Sequence, residues 1–248
     1  MTTIKAIVLA AGKGTRLGSE QAQLPKVMRP VLGRPMLGYV LDTLSFLPKE
    51  DITIVVGFLR ELVMEHFGRD YTYAVQDPQL GTGHAVNCAR ASFQDFDGPI
   101  LVCSGDMPLV LRETYEALLE THLREGNACT LLAGTSSTEL GFGRVECDDQ
   151  GRFLRVVEYK DCTPQQREIP MLNAGIYFFD ARLLREALPR LQNRNAAGEY
   201  YLTDVPALLL ADGHSVGVYH SKVDGEILGV NTLEQLATVE AALRAPEA

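Results

Sequence analysis

A chain of 248 residues, 46% of them hydrophobic, can bury one substantial core, and a formal net charge of -9 with no visible basic stripe argues against nonspecific nucleic-acid binding. No apolar stretch reaches membrane-spanning length, and Met1 to Leu9 lacks the charged n-region and long apolar h-region of a secretion signal, so a cytoplasmic chain with no membrane partner is expected. Cys88, Cys103, Cys129, Cys147 and Cys162 are odd in number, widely spaced and without a C-x-x-C pair, which argues against a disulfide framework and against a thiolate zinc site.

In chain order, the apolar run from Ile4 to Leu9, interrupted only by Lys5, predicts a buried strand. It ends in Leu9-Ala10-Ala11-Gly12-Lys13-Gly14-Thr15-Arg16, followed by Leu24-Pro25-Lys26. Glycines let a backbone approach a ligand closely, exposed N–H groups can face phosphate oxygens, and Arg16 and Lys26 add fixed positive charge, so the loop suits a triphosphate. It is not a Walker loop, because Gly12-Lys13-Gly14-Thr15 has no glycine at the required upstream position. It is not the dinucleotide fingerprint, because Gly18 falls one residue late. For the loop alone, an ordinary glycine-rich turn with Arg16 and Lys26 solvated remains open.

Further along, Ile52 to Val56, Tyr71 to Val75, Ile100 to Cys103 and Ala128 to Leu132 predict short buried strands. Between them, Met36 to Leu47, Arg60 to Phe67, Thr82 to Ala91 and Arg112 to Arg124 carry helical spacing. That alternation predicts an α/β fold, a Rossmann-like doubly wound and mostly parallel sheet whose ligand crevice lies at the carboxyl ends of its strands. After about Gly134 the rhythm shifts to strands at Gly143 to Cys147, Phe153 to Val157 and Met171 to Phe179, with turns at Asp148 to Gly151 and around Pro164. Helices at Ala181 to Leu188 and Thr203 to Ala211, a strand at Val216 to Tyr219 and a helix at Thr232 to Leu243 complete the chain. We expect a single domain over 1–248: an alternating α/β half to about 134, a smaller β-rich extension from about 135 to 230, and a closing helix at 231–243. No linker, internal repeat or low-complexity tract interrupts it.

Ser104-Gly105-Asp106 places a carboxylate just beyond a strand end in that crevice. Magnesium favours one or two protein oxygens together with phosphate oxygens and water, a need that a lone aspartate at such a position meets better than a four-ligand cage would. Taken singly, Asp106 could be a turn or cap aspartate and Asn231 the N-cap of the final helix.

The motifs Leu9 to Arg16, Leu24-Pro25-Lys26-Val27, Gln79-Leu80-Gly81-Thr82-Gly83-His84-Ala85, Gly105-Asp106, Gly141-Phe142-Gly143-Arg144, Glu158-Tyr159-Lys160-Asp161, Asn173-Ala174-Gly175-Ile176, Gly198-Glu199-Tyr200-Tyr201-Leu202-Thr203-Asp204 and Gly229-Val230-Asn231 occur in one order. In that order the chain resembles the sugar-phosphate nucleotidylyltransferases, most closely the N-terminal uridylyltransferase domain of the bifunctional bacterial enzymes that make UDP-N-acetylglucosamine. The likeness runs from about Ile4 to Leu243. It implies UMP transfer from UTP to N-acetylglucosamine 1-phosphate, with small-molecule partners only and with Mg2+ held by Asp106 and Asn231. It implies Arg16 and Lys26 as catalytic cations, and a nucleotide site of Leu9, Ala10, Ala11, Gly12, Gln76, Gly81, Thr82 and Gly105. Gly143, Glu158, Asn173 and Asn231 would face the sugar; the half to about 134 would bind nucleotide and the β-rich extension would cover the sugar side. Without the resemblance, Gln76 is a surface residue after a strand, Thr82 a helix cap, Glu158 a solvated charge and Asn173 a turn residue. His84 is expected to pack or to serve the helix N-terminus rather than act as a base, since a phosphate dianion already is a competent nucleophile.

Departures from the family pattern bear on the acceptor. Leu17 to Gln23 is about three residues longer than usual, and Ser104 stands where tyrosine commonly precedes Gly-Asp. The chain carries no hexapeptide repeats of an acetyltransferase β-helix, so acetyl transfer is not expected of it. A uridylyl- or thymidylyltransferase for another hexose 1-phosphate is the near alternative, and a weakly catalytic nucleotide-sugar regulator the distant one. The oligomeric state is left open.

Overall fold

In a computed structural model of the chain, which describes residues 2–19, 21–136, 141–223 and 225–244, alternating apolar strands and amphipathic helices form the frame. The strands are β1 (Lys5–Leu9), β2 (Pro30–Val31), β3 (Arg34–Pro35), β4 (Ile52–Val56), β5 (Thr72–Val75), β6 (Pro99–Ser104), β7 (Cys129–Gly134), β8 (Arg144–Cys147), β9 (Phe153–Val157), β10 (Leu172–Asp180) and β11 (Val216–His220). The helices are α1 (Met36–Thr43), α2 (Arg60–Phe67), α3 (Thr82–Cys88), α4 (Arg112–Glu125), α5 (Pro164–Arg167), α6 (Ala181–Ala187), α7 (Val205–Ala211) and α8 (Leu233–Arg244). The expected sugar-side boundary near Gly134 leads into residues 137–140 and the expected domain end is residue 248, both outside the described residues.

The main sheet runs β11-β7-β10-β6-β1-β4-β5, with β8 on β10 and β9 on β8. β1 is parallel to β4 and β6, β4 to β5, and β11 to β7, whereas β10 is antiparallel to both β6 and β7. Side-chain alternation divides the core between the two faces. Val8, Ile54, Leu101 and Phe178 pack with Leu37 of α1, Val63 of α2 and Leu118 of α4. Ile7, Val55, Val102 and Phe179 pack on the other face with Val86 of α3, Leu184 of α6 and Leu209 of α7. This is the predicted mostly parallel, doubly wound arrangement. A third cluster joins Leu17, Val31, Met36, Val230 and Val239, and so lays α8 over the β2–β3 hairpin beside the glycine-rich loop after β1. Among the described residues no helix is long and apolar enough to cross a membrane.

Several element boundaries differ from expectation. The helix predicted to reach Leu47 ends at Thr43, followed by turns in which Ser45 N–H donates to Asp42 and Leu47 N–H to Leu44. The helix predicted over Thr82 to Ala91 stops at Cys88 and continues as a 3-10 turn, Arg90–Phe93. The turn expected around Pro164 is a one-turn helix whose Thr163 cap and Gln166 side chain bond reciprocally.

Candidate active site

Parallel register builds the site, because Leu9 at the end of β1 lies opposite Ser104 at the end of β6 and opposite Val55 of β4. The loops after both strands therefore open into one crevice. Gly105 N–H donates to Leu9 O at 2.9 Å and Ala10 N–H to Val55 O at 2.8 Å, which ties the loop to the sheet. Beyond that tie, the N–H groups of Ala11, Gly12, Lys13, Gly14 and Thr15 have no protein acceptor among the described residues, as an anion-binding loop requires. Gly14 sits at φ +69°, and a Cβ there would lie 2.7 Å from Lys26 Cβ, so glycine lets the loop close on the lysine.

Lys26, Asp106, Asn231 and Arg16 form one charged cluster. The Lys26 ammonium bonds Asp106 Oδ2 and, at 2.8 Å, Asn231 Oδ1, to which Arg16 Nη2 also donates at 3.1 Å. Ser104 Oγ donates to Asp106 Oδ1 at 2.5 Å. Burial pushes the Asp106 carboxyl up, but the Lys26 charge and the hydrogen bonds from Lys26 and Ser104 outweigh it and hold the group below its ordinary range. Asn231 is not the cap of α8. Thr232 takes that role by accepting from Gln235 N–H at 3.2 Å, while Gln235 Oε1 accepts from Thr232 N–H at 3.1 Å, which leaves the Asn231 amide to the cluster. Val230 N–H donates to Asp106 O at 3.0 Å and brings the two segments together.

On one side of Asp106 lies a cavity of about 250 Å3 walled by Leu9, Ala10, Ala11, Gly12, Gln76, Gly81 and Thr82. Gln76 continues β5, its N–H donating to Val56 O at 2.8 Å, and its Nε2 donates to Gly81 O at 2.8 Å. Gly81 is at φ +106°, and a Cβ there would lie 2.6 Å from Tyr200 O. Thr82 does not cap α3; its Oγ1 accepts from Leu202 N–H at 3.0 Å.

On the other side lies a cavity of about 190 Å3 walled by Gly143, Glu158, Asn173, Tyr177, Thr203 and Asn231. The register of β10 against β7 shifts between Asn173 and Tyr177, with Gly175 at φ +72°, and this bulge turns Asn173 to the cavity wall. The Asn173 amide is held from both ends, Nδ2 donating to Tyr177 OH at 2.7 Å and Oδ1 accepting from Gly175 N–H at 3.3 Å. Glu158 accepts from Thr203 Oγ1 at 2.9 Å. Burial raises its carboxyl above the ordinary range, the Thr203 hydrogen bond lowers it, and Asp204, Asp161 and Glu199 raise it further.

The chambers share Leu9, Thr82, Ser104 and Asp106. Apart from the shared Leu9 and Thr82, the predicted nucleotide residues of the first chamber and the predicted sugar residues of the second thus fall on opposite sides of the predicted metal aspartate. Gly105 lines neither chamber, its N–H being engaged by Leu9; it is a spacer under Asp106. Arg16 is exposed, donates to Asn231, and lines a further cavity with Thr82 and Glu158. Sequence reasoning assigned no role to Ser104, Thr203 or Tyr200. Tyr200 N–H donates to Leu80 O and its carbonyl accepts from Gly83 N–H, both at 2.8 Å, so the segment Glu199 to Thr203 straps the Leu80 to Gly83 loop to Glu158.

Residues 5–223 match the sequence profile of the nucleotidyl transferase family. The chain belongs to that family. It is 43% identical over 239 residues to the bifunctional protein GlmU of Geobacillus thermodenitrificans, a match that takes in 96% of this chain and 51% of that protein. It is 42% identical over 244 residues to the GlmU of Brevibacillus brevis, covering 98% of this chain and 52% of the relative. This nucleotidyl transferase therefore spans about half the length of the curated relatives it matches. A crystal structure from Bacillus anthracis, assigned as a glucose-1-phosphate thymidylyltransferase and holding a sucrose, superposes with a TM-score of 0.78. At 21% identity over 99% of this chain and 97% of that one, it supports the fold.

Proposed function

We propose that this nucleotidyl transferase moves UMP from UTP to N-acetyl-α-D-glucosamine 1-phosphate in the cytoplasm, giving UDP-N-acetylglucosamine and pyrophosphate. The observation that carries the reading is the shared wall at Asp106: a nucleotide in one chamber and a sugar phosphate in the other would abut at one carboxylate. Kinship with the GlmU proteins supports the reaction class, and the Gln79 to Ala85 motif supports uracil.

Asp106 and Asn231 suit magnesium, because their hard oxygens already converge on one cation, the Lys26 ammonium. Among the described residues no group of at least three His, Cys, Asp or Glu side chains forms an all-protein metal cage. Held by these two oxygens, magnesium would supply neutralisation of phosphate charge.

The chain's own groups account for the remaining requirements. The N–H groups of Ala11 to Thr15 receive phosphate oxygens, and Lys26 and Arg16 offset the charge that develops as pyrophosphate leaves. Gln76 and the Gly81-Thr82 backbone select the base, while Glu158 and Gly143 address the sugar hydroxyls. No side-chain base and no covalent enzyme intermediate is needed, because the sugar phosphate dianion attacks the α-phosphorus directly.

Pyrophosphate release from UTP and magnesium across a panel of sugar 1-phosphates tests the assignment. N-acetylglucosamine 1-phosphate is expected to give the highest kcat/KM. A higher value for glucose 1-phosphate would displace the acceptor assignment, and turnover with no nucleotide triphosphate would displace the reaction.

A further inference from the structure

We propose that His84 is a specificity-determining positioning residue: its unprotonated Nδ1 holds the Gln76 amide with the oxygen toward the base, and thereby favours uracil over cytosine. This rests on the reading of the Gln76 cavity as the base site.

The orientation of the amide follows from its partners. Gly81 O is a carbonyl and can only accept, so the Gln76 atom 2.8 Å away is the donor Nε2. That nitrogen also lies 3.2 Å from His84 Nδ1. A ring nitrogen facing a second amide hydrogen must be the acceptor, so the imidazole proton sits on Nε2, which lies 3.7 Å from Cys88 Sγ. With both Nε2 hydrogens engaged, Oε1 is the part of the side chain without a protein partner among the described residues, and Gln76 lines the 250 Å3 cavity.

The bases differ at the atom this oxygen would meet. Uracil carries a hydrogen on N3 and donates to Oε1; cytosine N3 carries a lone pair and opposes it. Gly81 O engages only one of the amide hydrogens. Were the Nδ1 acceptor absent, the other hydrogen would be a buried donor without a partner, and a flip that turns Nε2 to cytosine N3 would cost only the bond to Gly81 O instead of both bonds. His84 adds a second bond that the flip must break. The short residues around it permit the contact: α3 begins at Thr82, directly after Gly81, which places His84 one turn from the Gly81 carbonyl that shares the same amide.

Affinities for UTP and for CTP, measured by calorimetric titration of the whole chain, give the test. His84→Asn puts a carbonyl oxygen close to the position of Nδ1, and its UTP-to-CTP affinity ratio is expected to stay near the wild-type value. His84→Leu removes the acceptor, and the ratio is expected to fall about tenfold, the value of one buried hydrogen bond. An unchanged ratio in His84→Leu, or an equal loss in His84→Asn, would overturn the proposal, since a packing role makes no distinction between the nucleotides. Gln76→Ala separates the two levels of inference. If it collapses the ratio while His84→Leu does not, only the role of His84 fails; if it leaves the ratio unchanged, the base-site reading fails as well. Nitrogen-15 shifts of the His84 ring in the wild-type protein provide a readout that needs no variant: the Nε2–H tautomer is expected, and the Nδ1–H tautomer would overturn the assignment.

Discussion

At the scale of single residues, the site concentrates its charge on one carboxylate. Asp106 is bonded by Ser104 and Lys26 and is presented to both chambers, so Asp106→Ala should lower kcat by about two orders of magnitude, measured as pyrophosphate release at saturating substrates. Glu158 presents the opposite balance. Its carboxyl is raised by burial and by neighbouring carboxylates, so its contribution to stability is present at low pH and lost as pH rises through the raised value. Glu158→Gln should therefore leave the neutral-pH melting temperature unchanged or higher while raising KM for the sugar phosphate more than KM for UTP. Asp106 and Asn231 were legible because each follows a short apolar strand or precedes a helix in a recognisable motif. Ser104 and Thr203 were not, since a hydroxyl has no preferred partner in sequence, and Thr203 finds Glu158 across 45 positions.

At the scale of elements, the turn between Gln76 and α3 is set by what the strap behind it permits. Gly81 combines φ +106° with a Cβ position 2.6 Å from Tyr200 O, so Gly81→Ala must both strain its backbone and push the strap away. We expect a loss of about 2 kcal/mol or more in urea unfolding, with weaker UTP binding. Gly12→Ala provides the contrast, because no atom lies within 4 Å of its Cβ position and its φ is not positive; its stability should stay near wild type. The strand and helix order was readable from periodicity, whereas helix ends were not. The apolar spacing of Leu44 and Leu47 continues past α1 although the backbone has already turned. The β2–β3 hairpin escaped notice because its short Pro-flanked strands carry no alternating pattern.

At the scale of the whole molecule, the predicted sheet was correct in kind, but the inverted direction of β10 was not legible. A largely buried strand such as β10 has the same apolar composition in parallel and antiparallel settings. Its insertion between β6 and β7 extends the sheet from the chamber of Gln76 to the chamber of Asn173. The fold also contains a titratable weak point behind this sheet. His122 of α4 is buried, faces Thr130 Oγ1 of β7 at 3.1 Å, and has its pKa lowered from 6.5 to about 4 by burial, with Asp180 acting in the opposite sense. Between those values the unfolded chain binds a proton that the folded chain does not. Stability is therefore full above pH 6.5 and should fall by about 3 kcal/mol as pH drops to 4, from this group alone. Melting curves across that window should show the decline, and His122→Leu should flatten it.

The strap from Glu199 to Thr203 gives the two chambers a common dependency. Tyr200 is bonded to the backbone of Leu80 and Gly83, and three residues later Thr203 grips Glu158. A ligand that stiffens either end of this segment lowers the ordering cost at the other, so the chambers should fill cooperatively rather than independently. Linkage then requires that the factor by which UTP sharpens affinity for the sugar phosphate equals the factor by which the sugar phosphate sharpens affinity for UTP. A preferred order of addition in steady-state kinetics would reflect differences in access to the crevice, not an asymmetry in that coupling.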